Sequence, residues 1–349
     1  MQNIPIDEKF MVKFLVTLLL EHSPTGYTNN AMKVVEDALK AFPAVTTDYT
    51  RKGALVATWA GELKDQARAI TSHVDTLGGM VKEIKGNGRI KISRLGGLLL
   101  NGVETEGCWV ITSGGKKVRG SFMFEDSSVH VHGAKVSETK REEANMEIRL
   151  DERTTSSEET EALGIQIGDF VCFDPRVEVI NGFIRSRFLD DKACVATVIA
   201  AMKALADNGL KPKRNVSFHF SNYEEVGHGA AAGIPENVCE LLAVDMAAVG
   251  TGQNSDEYHA SICLKDSGGP YHHGFSNKLR TIAEDQKIDY RTDIYPYYGS
   301  DGEAFWRAGG DVAVALIGPG VDASHNYERT HSEALVATAQ WVAAYLLSE

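Results

Sequence analysis

Five places along the chain close an apolar run, or open a helical one, with groups that can hold a cation or move a proton. Ala69 to Ser72 runs into His73-Val74-Asp75, and Phe188-Leu189 runs into Asp190-Asp191 ahead of a helical stretch. Asn215 to Tyr223 leads into Glu224-Glu225, and Leu241 to Val244 leads into Asp245. Val312 to Ile317 leads through Gly318-Pro319-Gly320 and a polar loop to His331. Each has an ordinary explanation taken alone. With 11 histidines, one His-x-Asp is expected by chance. An aspartate before a helix is usually its N-cap, and paired acids on a loop are commonly just solvated. Two details resist those explanations. A helix start needs one cap, so giving that role to Asp191 leaves Asp190 without a structural purpose. Adjacent like charges at a strand end also repel, a cost that nearby cations relieve.

Together the groups define one kind of chemistry. Four of the five sites lie just past the carboxyl ends of apolar strands, where open α/β sheets place their ligands, and the fifth opens the helix beside them. Two imidazoles (His73, His331) and three carboxylates (Asp190, Glu225, Asp245) suit Zn, Co or Mn, with one carboxylate shared between two ions. Two ions about 3.5 to 4 Å apart can lower the pKa of a water between them and clamp a tetrahedral intermediate. A period of two puts His73 and Asp75 on one strand face, so the Asp75 carboxylate can accept a hydrogen bond from the ring and fix its tautomer.

The elements that must position these groups fall into two textures. Before about residue 80 and after about residue 180, apolar runs alternate with helical patterns: about Asn30 to Ala41, Asp191 to Ala206 and Ser332 to Leu347. That alternation is an α/β layer architecture. Phe10, Phe14, Leu15, Leu18 and Leu19 form the apolar face of one more helix. Between the two segments, short runs rich in β-branched and aromatic residues are punctuated by glycine. Ile90–Ile92, Trp109–Thr112, Val118–Phe124, Val129–Val131 and Phe170–Phe173 read as strands, with one short helix near Ser156. The pattern is a β domain, 82–178, inserted into a discontinuous domain, 1–81 and 179–349. The strand reading puts His130 and His132 on one face.

Composition bounds the rest. A chain of 349 residues with 43% hydrophobic and 24% charged residues has the makings of a sizeable core. A formal charge of -12 with no basic stripe argues against nucleic acid and anionic membranes as partners. The apolar run from Phe10 to Leu20 is too short for a membrane span and lacks the basic start of a secretory signal. Five scattered cysteines suit reduced thiols in the cytoplasm.

The order His-x-Asp, Asp-Asp, Glu-Glu-Val-Gly, Val-Asp and His-Ser resembles the dinuclear metallo-aminopeptidases, and within them the glutamyl and tetrahedral (TET) aminopeptidases, some labelled cellulase M-like. The resemblance spans almost the whole chain. It implies a mixed sheet sandwiched by helices, with the insert as a small β-barrel-like dimerisation domain. It implies that His73, Asp190 and Asp245 hold one divalent ion and Asp190, Glu225 and His331 the other, with Zn or Co ahead of Mn. Glu224 would be the general base, Asp75 the partner of His73, and Ser300 and Asp301 would line the substrate site. The Asp190–Asp191 peptide would be cis. Substrates would be peptides with a free N-terminus, and the assembly a homo-oligomer, a dimer or a tetrahedral dodecamer. Relatives often carry Arg-Gly-Ala where this chain has His228-Gly229-Ala230. His272, His273 and His325 have no assigned role.

Two other enzyme or binding readings share the ligand set: a metal-dependent deacylase or carboxypeptidase, and a noncatalytic peptide-binding relative. The deacylase branch carries its extra domain after the glutamate pair, whereas here it lies between His73 and Asp190. No ligand or base is lost, as a noncatalytic relative would show. A glycoside hydrolase would have no use for the two histidines.

Overall fold

The computed structural model describes residues 4–349. The chain divides into two compact units, 1–75 with 176–349, and 76–175. The insert thus begins and ends a few residues before the expected 82–178. Gly78–Met80 already pair with Ser93–Leu95 in the insert, whereas Glu178–Ile180 pair with Phe183–Arg185 in the larger unit.

The larger unit is a mixed sheet with helices. Its centre is four parallel strands in the order Arg214–Ser221, Leu63–His73, Val238–Val244 and Ala313–Asp322, flanked by the antiparallel Leu55–Trp59. Ala67 to His73 are buried without alternation, as expected of a strand covered on both faces. Register does the rest of the positioning. Ser221 lies opposite His73, Ala243 opposite Thr71 and Val244 opposite Ile317, so the carboxyl ends of all four strands open at one edge.

The helix Glu8–Leu20 is capped by Asp7, whose carboxylate accepts the Phe10 N–H, and it buries Met11, Phe14, Leu15, Leu18 and Leu19. It packs on the helix Leu189–Asp207, which also packs on Ser332–Leu347. Leu189–Asp207 is apolar nearly all round and almost wholly buried, which makes it a core helix rather than a surface one. Two further helices, His273–Gln286 and Asp301–Arg307, lie in segments for which no helix was expected.

The smaller unit is a closed six-stranded barrel: Gly78–Ile84, Ile90–Leu95, Met146–Leu150, Lys117–Phe124, Gly107–Ile111 and Phe170–Phe173. Val81, Ile92, Val110, Phe122, Ile148 and Phe173 fill it, Phe122 meeting Phe173 edge-on at 5.5 Å. One expectation changes here. Val129–Val131 is not a strand but the start of the exposed helical turn Val129–His132, so His130 and His132 do not share a strand face. The run Leu98-Leu99-Leu100 buries Leu98 and Leu100 within the chain and exposes only Leu99.

Candidate metal centre

His73 ends its strand with 1% of its surface exposed. Nδ1 donates to the Asp75 carbonyl at 2.8 Å, which turns Nε2 toward Asp190 Oδ1 at 3.1 Å and Glu224 Oε2 at 3.6 Å. The ring is therefore fixed by the backbone of Asp75, not by its carboxylate, which stands 3.8 Å from Nδ1. That carboxylate has other work. It accepts from Thr25 Oγ1 at 2.7 Å and from the amides of Glu224 and Glu225 at 3.2 and 3.4 Å, holding the loop that carries the glutamate pair.

Asp190 and Asp191 are joined by a cis peptide and have non-helical dihedrals inside the helix that nominally contains them. Asp191 does not cap that helix: its Oδ2 accepts the His73 N–H at 3.1 Å, tying helix start to strand end. Asp190 faces two histidines, with Oδ1 toward His73 and Oδ2 3.6 Å from His325 Nε2. The same His325 nitrogen is 3.6 Å from Glu225 Oε2. His73, Asp190 and Asp245 each offer a ligand atom within 4.8 Å of the others.

His325, not His331, is the histidine that joins this group. His331 has both ring nitrogens committed elsewhere. Nε2 donates to Asn181 O at 3.3 Å, and Nδ1 accepts the Glu333 N–H at 3.3 Å as the N-cap of Ser332–Leu347. Its ring stands edge-on to Phe183 at 4.8 Å. The strand continues past Ile317 to Asp322, so His325 follows a strand end by three residues, as Asp245 follows one by a single residue.

Ser300 and Asp301 are buried and their polar atoms are taken up within the protein. Ser300 Oγ is 2.8 Å from the Tyr271 hydroxyl. Asp301 accepts from Thr71 Oγ1 at 3.2 Å, from Ala230 N at 2.7 Å and from Ser221 Oγ, so it braces the loop after Glu225 rather than lining an opening. At the position where relatives carry arginine, His228 stacks on Tyr223 with ring centroids 5.3 Å apart. The cation comes from Lys52, which donates to the carbonyls of His228 and Gly229. Sequence reading also passed over Tyr298, whose hydroxyl donates to Met246 O at 2.8 Å beside Asp245.

The electrostatics are those of a site built for positive charge. Burial pushes Glu224 and Glu225 well above the usual carboxylate range, and neighbouring carboxylates add to it. Asp245 is pushed up to about 7 by burial and by Asp190. Burial opposes the charged form of His73, yet Glu224 and Asp190 raise it well above its ordinary value. So many acids buried together are costly without a counter-charge, which divalent ions would supply. Mixed imidazole and carboxylate donors fit Zn, Co or Mn. The side chain of His325 is 38% exposed while those of Asp190 and Glu225 are 11% and 3%, so the centre opens to solvent beside His325.

Gly318 is essential to this packing. A Cβ there would lie 1.7 Å from the Asp245 carbonyl oxygen. Gly318→Ala is therefore expected to cost at least about 1–3 kcal/mol by forcing the two strands apart, read as a lower urea midpoint at unchanged slope.

His73, Asp190 and Asp245 stand close enough together to hold a metal ion, at the carboxyl edge of a mixed α/β sheet, and similarity to known proteins places the chain among peptide hydrolases. The M42 glutamyl aminopeptidase family model matches residues 53–341, and the chain belongs to that family. It is 45% identical over 339 residues to "Putative aminopeptidase YhfE" of Bacillus subtilis (strain 168), covering 97% of this chain and 96% of that one. Among solved structures, the fold is shared with the aminopeptidase APDkam598 from the archaeon Desulfurococcus kamchatkensis (TM-score 0.87, 21% identity, 98% and 96% of the two chains). It is shared equally with the Pyrococcus horikoshii TET1 peptidase, described as assembling into a tetrahedron or a large octahedral shell (TM-score 0.85, 21% identity, 97% and 100%).

Proposed function

We propose that the chain is a dinuclear metallo-aminopeptidase, removing N-terminal residues from peptides. The observation that carries this reading is the orientation of Asp190, whose two carboxylate oxygens face two different histidines, as a shared ligand requires. One ion would be held by His73, Asp190 and Asp245, the other by Asp190, Glu225 and His325. Bound there, divalent ions would polarise the scissile carbonyl and lower the pKa of the attacking water.

The chain's own residues do the remainder. Glu224 takes the proton from the water and returns it to the leaving amine. Asp75 fixes where Glu224 can reach, because its carboxylate holds the Glu224 and Glu225 amides while its carbonyl holds the His73 ring. The free α-amino group of the peptide, as a neutral amine, would approach the metal positions from the side open to solvent beside His325. The experiment is a screen of aminoacyl-p-nitroanilides against N-acylated counterparts with Zn, Co and Mn. Cleavage of free-amine substrates alone supports the aminopeptidase, and cleavage confined to acylated ones makes the chain a deacylase.

The chain is also proposed to form a homo-oligomer, a dimer through the barrel unit before any tetrahedral dodecamer. The TET1 peptidase supports this as a structural relative with such assemblies. Light scattering at micromolar concentration is expected to give at least twice the 38.0 kDa chain mass; a monomer alone rejects it. A cytoplasmic location suits the five free cysteines. Among the described residues, no helix is long and apolar enough to cross a membrane.

A further inference from the structure

The two segments that bring Asp190 and His325 together are both irregular. His325 sits at φ +64°, in the left-handed region that residues other than glycine seldom occupy. Asp190, at φ -73° and ψ 105°, departs from the helix that runs on behind it. A residue other than glycine in the left-handed region persists there only where the surroundings over-determine it. Here the two amides converge on one side chain. Glu328 Oε1 accepts the His325 N–H at 3.0 Å, and Glu328 Oε2 accepts the Asp190 N–H at 3.1 Å.

Glu328 is itself well anchored. It is 2% exposed and opens the strand Glu328–His331, opposite Ser186 of the strand Phe183–Ser186. Its two oxygens thus measure off the separation of two segments far apart in sequence. His73 and Asp245 owe their places to other elements, the ends of two adjacent parallel strands. The clamp holds Asp190, which both halves would share, and His325, which only one half needs, so it bears most on the half formed with His325.

We infer that Glu328 is a positioning residue that sets the spacing of Asp190 and His325, and through it the affinity of the cation position formed by Asp190, Glu225 and His325. The assignment rests on the dinuclear reading above. It requires a carboxylate, because a glutamine would turn an N–H₂ toward one of two backbone donors and leave that donor unsatisfied. Aspartate keeps both oxygens but is one methylene short.

The test is calorimetric titration of the metal-free full chain with Zn²⁺, with bound metal counted after dialysis, for the wild type, Glu328→Gln and Glu328→Asp. The wild type is expected to take two ions. Glu328→Gln should bind the ion held with His325 about 10- to 100-fold more weakly, the usual effect of removing a partner that orients a ligand, and the ion held by His73 and Asp245 less than about threefold more weakly. Glu328→Asp should fall between. A merely structural role would weaken both ions alike or neither, and either result from a folded variant overturns the assignment. If Glu328→Gln fails to fold, Glu328→Asp decides by the same split. A wild type that takes up fewer than two ions defeats the dinuclear reading instead, before Glu328 is in question.

Discussion

Glu224→Gln is expected to keep its metal and lose about 10²- to 10⁴-fold in kcat, whereas Glu225→Gln is expected to lose metal and activity together. The residues are neighbours, and burial acts on both in the same direction, so charge environment does not separate them. Geometry does. Glu225 Oε2 stands 3.6 Å from His325 Nε2, in the half of the centre that opens to solvent. Glu224 Oε2 stands 3.6 Å from His73 Nε2, on the opposite side of Asp190. A glutamine at 224 keeps the shape and still lies on the loop held by Asp75, but it cannot accept a proton. Metal content by plasma emission and turnover on a peptide substrate decide both points. Metal lost from Glu224→Gln and kept by Glu225→Gln would exchange the roles; full activity in Glu224→Gln would end the general-base mechanism.

The second large effect separates two histidines six residues apart. His325→Ala should weaken one of the two ions by more than the roughly 100-fold upper range of an orienting partner, with activity falling accordingly. His331→Ala should leave metal content and KM unchanged and lower stability by about 1–2 kcal/mol, through a lost helix cap and a lost edge-on contact with Phe183. Metal titration and urea unfolding of both variants are sufficient. The reverse pattern would return the ligand role to His331 and make His325 a surface residue.

The sequence points to His331 rather than His325 for a local reason. Gly318-Pro319-Gly320 looks like a turn, and a strand that stops at Ile317 leaves a long polar loop in which His331 precedes a well-formed helix. In the fold, the strand runs through these residues to Asp322. Its glycines permit close crossings: a Cβ at Gly320 would lie 1.8 Å from the Asp256 carbonyl oxygen. Tertiary approach, not local turn chemistry, put those glycines there. The other residues of the cluster were legible because parallel register alone gathers strand ends, and His73 opposite Ser221 needs no knowledge of side-chain packing. Asp75 was half legible. The strand ends at His73, so alternation does not reach Asp75, and it is the path of the chain beyond the strand that brings the Asp75 carbonyl to the ring. At Val129 to Val131 the β-branched residues suggest a strand, but no strand lies beside them to pair with among the described residues. They form an exposed helical turn instead.

The central claim is that Asp190 is shared by two ions, with His73 and Asp245 on one side and Glu225 and His325 on the other. Anomalous diffraction from zinc-loaded crystals, collected above and below the zinc edge, tests it most directly. Two peaks about 3.5 to 4 Å apart, flanking the Asp190 carboxylate and with His325 at the second, are predicted. A single peak, or a second one against His331, would contradict it.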